Sequence, residues 1–141
     1  MKKLHDQLYV AGQISLDDFD SFVEAGIKSI INNRPDNEEP GQLSAEQASS
    51  AAKALGIEYH YLPMANGQPL PATLVDDFKA ALDSSNGPVL AHCRSGMRSS
   101  FIWALGQIPT GSITVEQAIN AAQAAGIPLA NARQALESVQ P

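Results

Sequence analysis

The sequence contains a single cysteine, Cys93, among its 141 residues. One cysteine cannot form an intrachain disulfide or a zinc site built on paired thiolates, and it suits a reducing compartment. The three histidines, His5, His60 and His92, are too far apart in sequence to form a helical ligand pair. The sequence therefore predicts no metal site, and it shows no cofactor motif.

Positive charge and long apolar runs are also scarce. Nine Lys and Arg residues stand against 15 Asp and Glu, which gives a net charge of −6. Such a chain has no basic stripe for a nucleic-acid backbone, so we expect no nucleic-acid partner. No apolar run is long enough to cross a bilayer, and the amino end is polar, so we expect no membrane association and a cytoplasmic location. A signal peptide already removed from the sequence would leave no trace here.

The length predicts a single domain over residues 1–141. Three Ala-rich stretches end at Gly26, Gly56 and Gly126, each followed by Ile, which is typical of glycine at a helix C-terminus. Ser15 and Ser44 begin capping-box patterns. We predict strands at 8–11, 27–32, 57–62 and 88–92, helices at 16–25, 45–55 and 72–84, and three or four further helices. Alternating strands and helices favour an α/β fold with a mainly parallel central sheet of about four to five strands and helices on both faces.

The segment VLAHCRSGMRSS, residues 89–100, contains the clearest chemical signal. An apolar strand ends at His92, Cys93 opens a tight loop, and an apolar helix follows. Loop amides, the positive end of the helix, Arg94 and Arg98 would all stabilise a thiolate at Cys93. The same groups would bind a tetrahedral oxyanion above the sulfur, with Arg98 as a forked clamp and Gly96 allowing the turn.

Several neighbours have two possible roles. The predicted anion-binding loop consists of Arg94, Ser95, Gly96, Met97 and Ser99. Ser99 or Ser100 could donate a hydrogen bond to the thiolate or cap the helix, and capping is the more frequent role of a serine there. His92 could react or only support the loop, and Arg34 could bind an anion or be an ordinary loop charge. Trp103 is predicted to lie in the core.

The His-Cys pair and the following RSGMRSS resemble the phosphate loop of cysteine-dependent protein-tyrosine and dual-specificity phosphatases. The segments LYVAGQ at 8–13, IINNRPD at 30–36 and YLPM at 61–64 extend the likeness over nearly the whole chain. They resemble a bacterial branch of that superfamily, the beta-lactamase-hydrolase-like, phosphatase-like domain family. The resemblance implies the phosphatase fold, Cys93 as nucleophile and Arg98 as anion clamp. Members occur alone or joined to a metallo-beta-lactamase-type domain, which suggests a partner enzyme of that type.

Two features depart from the phosphatase pattern. Only four residues separate Cys93 from Arg98, one fewer than in those phosphatases, and this spacing also resembles the active loop of rhodanese-type sulfurtransferases. The region that would supply an aspartic general acid contains Asn66, which cannot donate a proton productively. A phosphatase would then need a substitute such as Asp36, Asp76 or Asp77, or a substrate with a good leaving group.

The sequence leaves three functions open, all with a small anionic substrate. The first is a phosphatase-like hydrolase in which the Cys93 thiolate attacks a phosphate ester. The second is a sulfurtransferase that forms a persulfide on Cys93 from a sulfane-sulfur donor. The third is a binding module without turnover, which is the weakest because an anion binder needs no thiol.

Overall fold

The computed structural model describes all residues from Met1 to Pro141. The strands are β1 (Lys2–His5), β2 (Leu8–Ala11), β3 (Ser29–Asn32), β4 (Glu58–Tyr61) and β5 (Val89–His92). The helices are α1 (Phe19–Glu24), α2 (Ala45–Ala54), α3 (Leu74–Asp83), α4 (Met97–Gln107), α5 (Val115–Ala124) and α6 (Arg133–Glu137). Short 3₁₀ turns lie at Leu16–Asp18, Ile108–Thr110 and Leu129–Ala132.

The five strands form one sheet in the order β1-β2-β5-β3-β4. β5 pairs in parallel with β2 and with β3, and β4 pairs in parallel with β3. Only β1, at the edge, is antiparallel. This architecture confirms the predicted α/β fold class. β1 was not predicted, because two exposed lysines and a single buried leucine give no apolar alternation.

Local signals explain where the helices begin and end. Gly26, Gly56 and Gly126 have φ between 74° and 79°, the left-handed conformation predicted for them. Ser44 caps α2 as predicted. The helix predicted at 16–25 is split, because the capping box of Ser15 closes a 3₁₀ turn before α1 begins.

Helices cover both faces of the sheet. One face packs α3, α4 and α5 around a large cluster that includes Phe78 and Trp103. The other face packs α1 and α2 around a smaller cluster that includes Phe22 and Ile30. The burial of Trp103, only 2% exposed, confirms its predicted place in the core.

β5 and α4 fix the position of the loop that joins them. Every residue of β5 is buried, and β5 lies between two parallel neighbours. Eight of the eleven residues of α4 are buried, on all sides of the helix. A loop between two fully packed elements has little freedom, so residues 93–96 are held at the carboxyl edge of the sheet.

Candidate active site

Cys93 follows β5 directly and lies at the bottom of the loop. Its backbone N–H donates to the carbonyl of Ala11 at 3.3 Å, which continues the pairing of β5 with β2. Its side chain is fully buried. The loop then turns at Gly96, whose φ of 92° is a left-handed conformation, and α4 begins at the next residue. The sequence order strand, loop, helix is therefore present as predicted.

Backbone amides surround the Cys93 sulfur. The Gly96 N–H donates to Sγ at 3.1 Å. Burial alone would raise the pKa of the Cys93 thiol, but hydrogen bonds from the backbone N–H groups of Ser99, Ser95, Gly96 and Arg98 outweigh it, so that the pKa lies below its ordinary value of 9.0. The loop therefore stabilises a buried thiolate, the reactive form of cysteine.

The Arg98 side chain lies between the thiol and a carboxylate. Its Nη1 and Nη2 atoms donate to the two carboxylate oxygens of Glu38, each at 2.8 Å, and Nη1 also donates to the Met64 carbonyl at 2.8 Å. The hydrogen bonds to Glu38 raise the pKa of Arg98, and the charge of Cys93 acts in the same direction. A side-chain hydrogen bond between Arg98 and Cys93 also raises this pKa.

A second buried guanidinium, that of Arg34, binds the same Glu38 carboxylate. Arg34 Nε donates to Glu38 Oε1 at 2.8 Å, and Arg34 Nη1 donates to Gln13 and Glu39. Its side chain is 1% exposed. Hydrogen bonding to Arg98, followed by that to Arg34, lowers the pKa of Glu38 to about 2 despite partial burial. Glu38 is therefore ionised at neutral pH and joins the two arginines.

Comparison with known proteins identifies the family. The family model "Beta-lactamase hydrolase-like protein, phosphatase-like domain" matches residues 1–110. A "Beta-lactamase hydrolase-like protein" of Agrobacterium fabrum is 39% identical over 111 residues, which are 79% of this chain and 26% of that protein. The chain belongs to the beta-lactamase hydrolase-like, phosphatase-like domain family. The resemblance inferred from the sequence is thus confirmed, and the chain spans about a quarter of the length of that curated relative.

Solved structures of phosphatases share the fold. A candidate phosphatase from Neisseria meningitidis superposes with a TM-score of 0.89, at 33% identity, over 99% of this chain and 97% of the other. The core catalytic domain of a PP-IP phosphatase from S. cerevisiae, solved in complex with citrate, matches at 20% identity with a TM-score of 0.68, over 96% and 82% of the two chains. The second likeness shows the fold alone.

The remaining loop side chains of this phosphatase-like domain differ in burial and in hydrogen bonding. Arg94 and Ser95 are exposed, and Met97 is half-buried. The Ser95 hydroxyl accepts from the Met97 N–H at 3.4 Å. The Ser99 hydroxyl donates to Asn33 Oδ1 at 2.7 Å, so only the Ser99 backbone amide acts on the sulfur. The helix is capped by Gly96 and not by Ser99.

His92 is buried beside Cys93, and neither nitrogen of its ring has a hydrogen-bond partner. It is 1% exposed. Burial lowers the pKa of His92 to about 4. The ring is therefore neutral at pH 7 and lacks the geometry of a proton donor or acceptor in this structure.

None of the candidate general acids is arranged for proton donation. Asp36 Oδ1 accepts from the Ala45 N–H at 2.8 Å, at the first turn of α2. Asn66 is exposed in the loop after β4 and has no hydrogen bond to the Cys93 loop. Asp76 and Asp77 are exposed in the first turn of α3. Arg34 is joined to Arg98 through the Glu38 carboxylate, as both arginines donate to it. Asp36, in contrast, caps the start of α2.

Three residues that contribute to the site were not predicted from the sequence, namely Glu38, Asn33 and Met64. Glu38 follows Arg34 by four residues, a spacing that could have suggested an ion pair. Its bond to Arg98 crosses 60 positions and had no local signal. Met64 acts through its carbonyl, which sequence cannot reveal.

No group of three or more His, Cys, Asp or Glu side chains is arranged to hold a metal ion. None of the helices is both long and apolar enough to cross a membrane. A cleft of about 470 Å³ is lined by residues 13–17, 39–43 and 47, and contains no residue of the Cys93 loop. It is linked to the buried arginines only through Gln13 and Glu39, which both accept hydrogen bonds from Arg34.

Proposed function

We propose that the protein is a cysteine-dependent phosphatase-like hydrolase acting on small phosphate esters with good leaving groups. The observation that carries this proposal is the buried Cys93 sulfur within reach of loop amides and facing Arg98. Membership of a phosphatase-like domain family supports the reaction class. No step requires a metal or an organic cofactor.

The reaction proceeds in two displacements. The Cys93 thiolate attacks phosphorus, an S–P bond forms, and the ester P–O bond breaks so that the leaving oxygen departs with the electron pair. Water then attacks phosphorus, the S–P bond breaks, and phosphate is released as the thiolate is restored. Loop amides and the Arg98 guanidinium stabilise the equatorial oxygens in both steps.

The restriction to good leaving groups follows from the missing proton donor. Asp36 caps a helix, and Asn66 carries an amide. General acid catalysis is worth about 10²–10⁴-fold in rate. A substrate whose leaving oxygen is stable without a proton, such as an aryl ester or an anhydride, loses little of this factor.

A sulfurtransferase is the second candidate, because the same missing acid and the four-residue spacing between Cys93 and Arg98 favour it. The thiolate would attack the outer sulfur of a thiosulfate-like donor, an S–S bond would form on Cys93, and sulfite would leave with the electron pair of the broken S–S bond. A thiol or cyanide would then remove the transferred sulfur. No leaving alkoxide needs protonation in either of these two reaction steps.

One paired assay separates the candidates. The substrates are p-nitrophenyl phosphate, an alkyl phosphate, and thiosulfate with cyanide. We expect turnover of the aryl ester, much slower turnover of the alkyl ester, and loss of both in Cys93→Ser. Arg98→Ala should lose activity, whereas Arg133→Ala, which removes a surface arginine paired with Glu116, should retain it.

Other results would change the assignment. One added sulfur on Cys93 by intact mass, removed by cyanide and accompanied by no ester hydrolysis, would replace phosphatase by sulfurtransferase. Anion binding without either reaction would leave a binding module. Wild-type activity in Cys93→Ser would refute the nucleophile.

We further propose that the domain works with a metallo-beta-lactamase-type partner in a reducing compartment such as the cytoplasm. The longer Agrobacterium relative, of which this chain spans 26%, supports a partner domain. A low-pKa thiol is readily oxidised, which favours reducing conditions. Co-purification of the tagged protein with a metallo-beta-lactamase-type enzyme tests whether the two associate.

A further inference from the structure

Asn33 is fully buried immediately after β3, and each of its four polar atoms has a partner. Its backbone N–H donates to the His92 carbonyl at 2.8 Å, and its own carbonyl accepts from the Met64 N–H at 3.0 Å. Its side-chain Nδ2 donates to the Leu62 carbonyl at 2.8 Å, and Oδ1 accepts from the Ser99 hydroxyl at 2.7 Å. One residue thus joins β5, α4 and the segment that follows β4.

These bonds end next to both reacting side chains. His92 immediately precedes Cys93, and Ser99 immediately follows Arg98. Met64, which Asn33 holds by its N–H, accepts a hydrogen bond from Arg98 through its carbonyl. Asn33 therefore contacts the chain on either side of the loop, and it also accepts from the N–H of Met64, the residue whose carbonyl accepts from Arg98.

We propose that Asn33 is a positioning residue whose side chain holds the Ser99 hydroxyl, so that the Ser99 amide in the first turn of α4 stays directed at the Cys93 sulfur. The inference rests on the proposed function only in taking Cys93 and Arg98 as the reacting groups. Asparagine suits the position because its amide offers both a donor for Leu62 and an acceptor for Ser99. Aspartate would lose the donor, and an apolar residue would leave buried polar partners unsatisfied.

The chemical consequence is a lower pKa for the Cys93 thiol. The Ser99 backbone amide is one of four that lower this pKa against the effect of burial. The Ser99 hydroxyl has no hydrogen bond to the sulfur, because it donates to Asn33. If the bond between Asn33 and Ser99 is removed, the first turn of α4 gains freedom and its amides are held less firmly toward the thiolate.

The neighbouring Asn32 provides a matched control. It is also buried, at 3% exposed, and its side chain also makes two hydrogen bonds. Its partners are the Tyr59 hydroxyl and the Arg34 N–H, and it makes no side-chain contact with the loop. Asn32→Ala therefore removes an equivalent buried amide from the same sheet edge without touching Ser99 or Met64.

The experiment measures the iodoacetamide alkylation rate of Cys93, the sole cysteine, against pH, which requires no substrate. The proteins are wild type, Asn33→Ala, Ser99→Ala, the double variant and Asn32→Ala. We expect a wild-type midpoint below 9.0, the ordinary pKa of a cysteine thiol. We expect Asn33→Ala and Ser99→Ala each to raise the alkylation midpoint by about one pH unit. The double variant should show a shift no larger than that of either single variant, because both remove the same bond. Asn32→Ala should leave the midpoint unchanged.

Each outcome supports or overturns the inference. Unchanged midpoints in both single variants, additive shifts in the double variant, or an equal shift in Asn32→Ala would overturn it. If Asn33→Ala does not fold, Ser99→Ala alone decides, because it removes one oxygen and the same bond. A wild-type midpoint at or above 9.0 would instead refute the activated thiol of the proposed function.

Discussion

Glu38 carries one negative charge between two buried guanidinium groups, with hydrogen bonds to Arg98 and Arg34. Glu38→Gln keeps the shape, removes the charge and places an amide N–H beside groups that only donate. A hydrogen bond to a charged group contributes about 1.5–3 kcal/mol, so we expect kcat/KM to fall by about tenfold to a hundredfold. Steady-state kinetics on p-nitrophenyl phosphate measure this. Equal kinetics in Glu38→Gln would show that Arg98 needs no carboxylate.

Glu38 also makes the stability of the folded protein depend on pH. The pKa of Glu38 in the folded protein is lowered to about 2 from its ordinary value of 4.5, because Arg98 and Arg34 donate hydrogen bonds to the carboxylate. The folded state gains stability from the ionised group above about pH 4.5 and loses this gain as pH falls toward 2. Urea unfolding should show wild type more stable than Glu38→Gln at pH 6, with the difference shrinking in acid. Glu24→Gln, at an exposed position of α1, should show no such difference.

Asp36 tests the distinction between a cap and a catalyst. Its carboxylate accepts from the Ala45 N–H at the start of α2. Removing such a capping side chain costs about 0.5–2 kcal/mol, so Asp36→Ala should lower the unfolding free energy by about 1 kcal/mol. The ratio of aryl to alkyl phosphate turnover should stay the same. A selective loss on alkyl phosphates would identify Asp36 as the missing acid.

At the scale of secondary-structure elements, the end of β2 supports the active loop. An added Cβ at Gly12 would lie 2.7 Å from the backbone carbonyl oxygen of Arg94, closer than real contacts allow. Gly12→Ala must therefore displace the loop. Overpacking of this kind costs about 1–3 kcal/mol, and we expect a lower unfolding free energy together with slower alkylation of Cys93.

Gly106 in α4 is the matched control for that substitution. The nearest atom to an added Cβ is Val75 Cγ1 at 3.5 Å, an ordinary contact. Gly106→Ala should leave the alkylation rate unchanged and add up to about 1 kcal/mol of stability, since alanine favours a helix interior. If both variants alkylate at the wild-type rate, β2 does not position the loop.

The elements also show what the sequence could predict. β5, the loop and α4 were predictable because an apolar run, Cys93 and a glycine turn are contiguous in the chain. β1 was not, since an edge strand with one buried residue has no pattern. Glu38 and Asn33 reach the loop across 60 and 66 positions, so only the folded sheet brings them together.

At the scale of the whole molecule, the net charge disfavours the anionic ligand that we propose for the Cys93 loop. The net charge is −6, so a phosphate or sulfate ion gains nothing from the overall field. Screening limits that repulsion to about 8 Å at physiological ionic strength. Stabilisation by an oxyanion must therefore come from the local donors of the loop and from Arg98.

This makes the melting temperature a test of the site. A ligand present at about a hundred times its Kd adds about 2.7 kcal/mol, which corresponds to a rise of roughly 5–10 °C for a domain of this size. We expect phosphate or sulfate to raise the Tm, and Arg98→Ala to lose most of the rise while Arg133→Ala keeps it. If Arg98→Ala keeps the full rise, the clamp lies elsewhere, and Arg34, whose Nη2 has no partner, becomes the next group to substitute. If chloride at equal ionic strength produces the same rise in wild type, the effect is screening and not a bound anion.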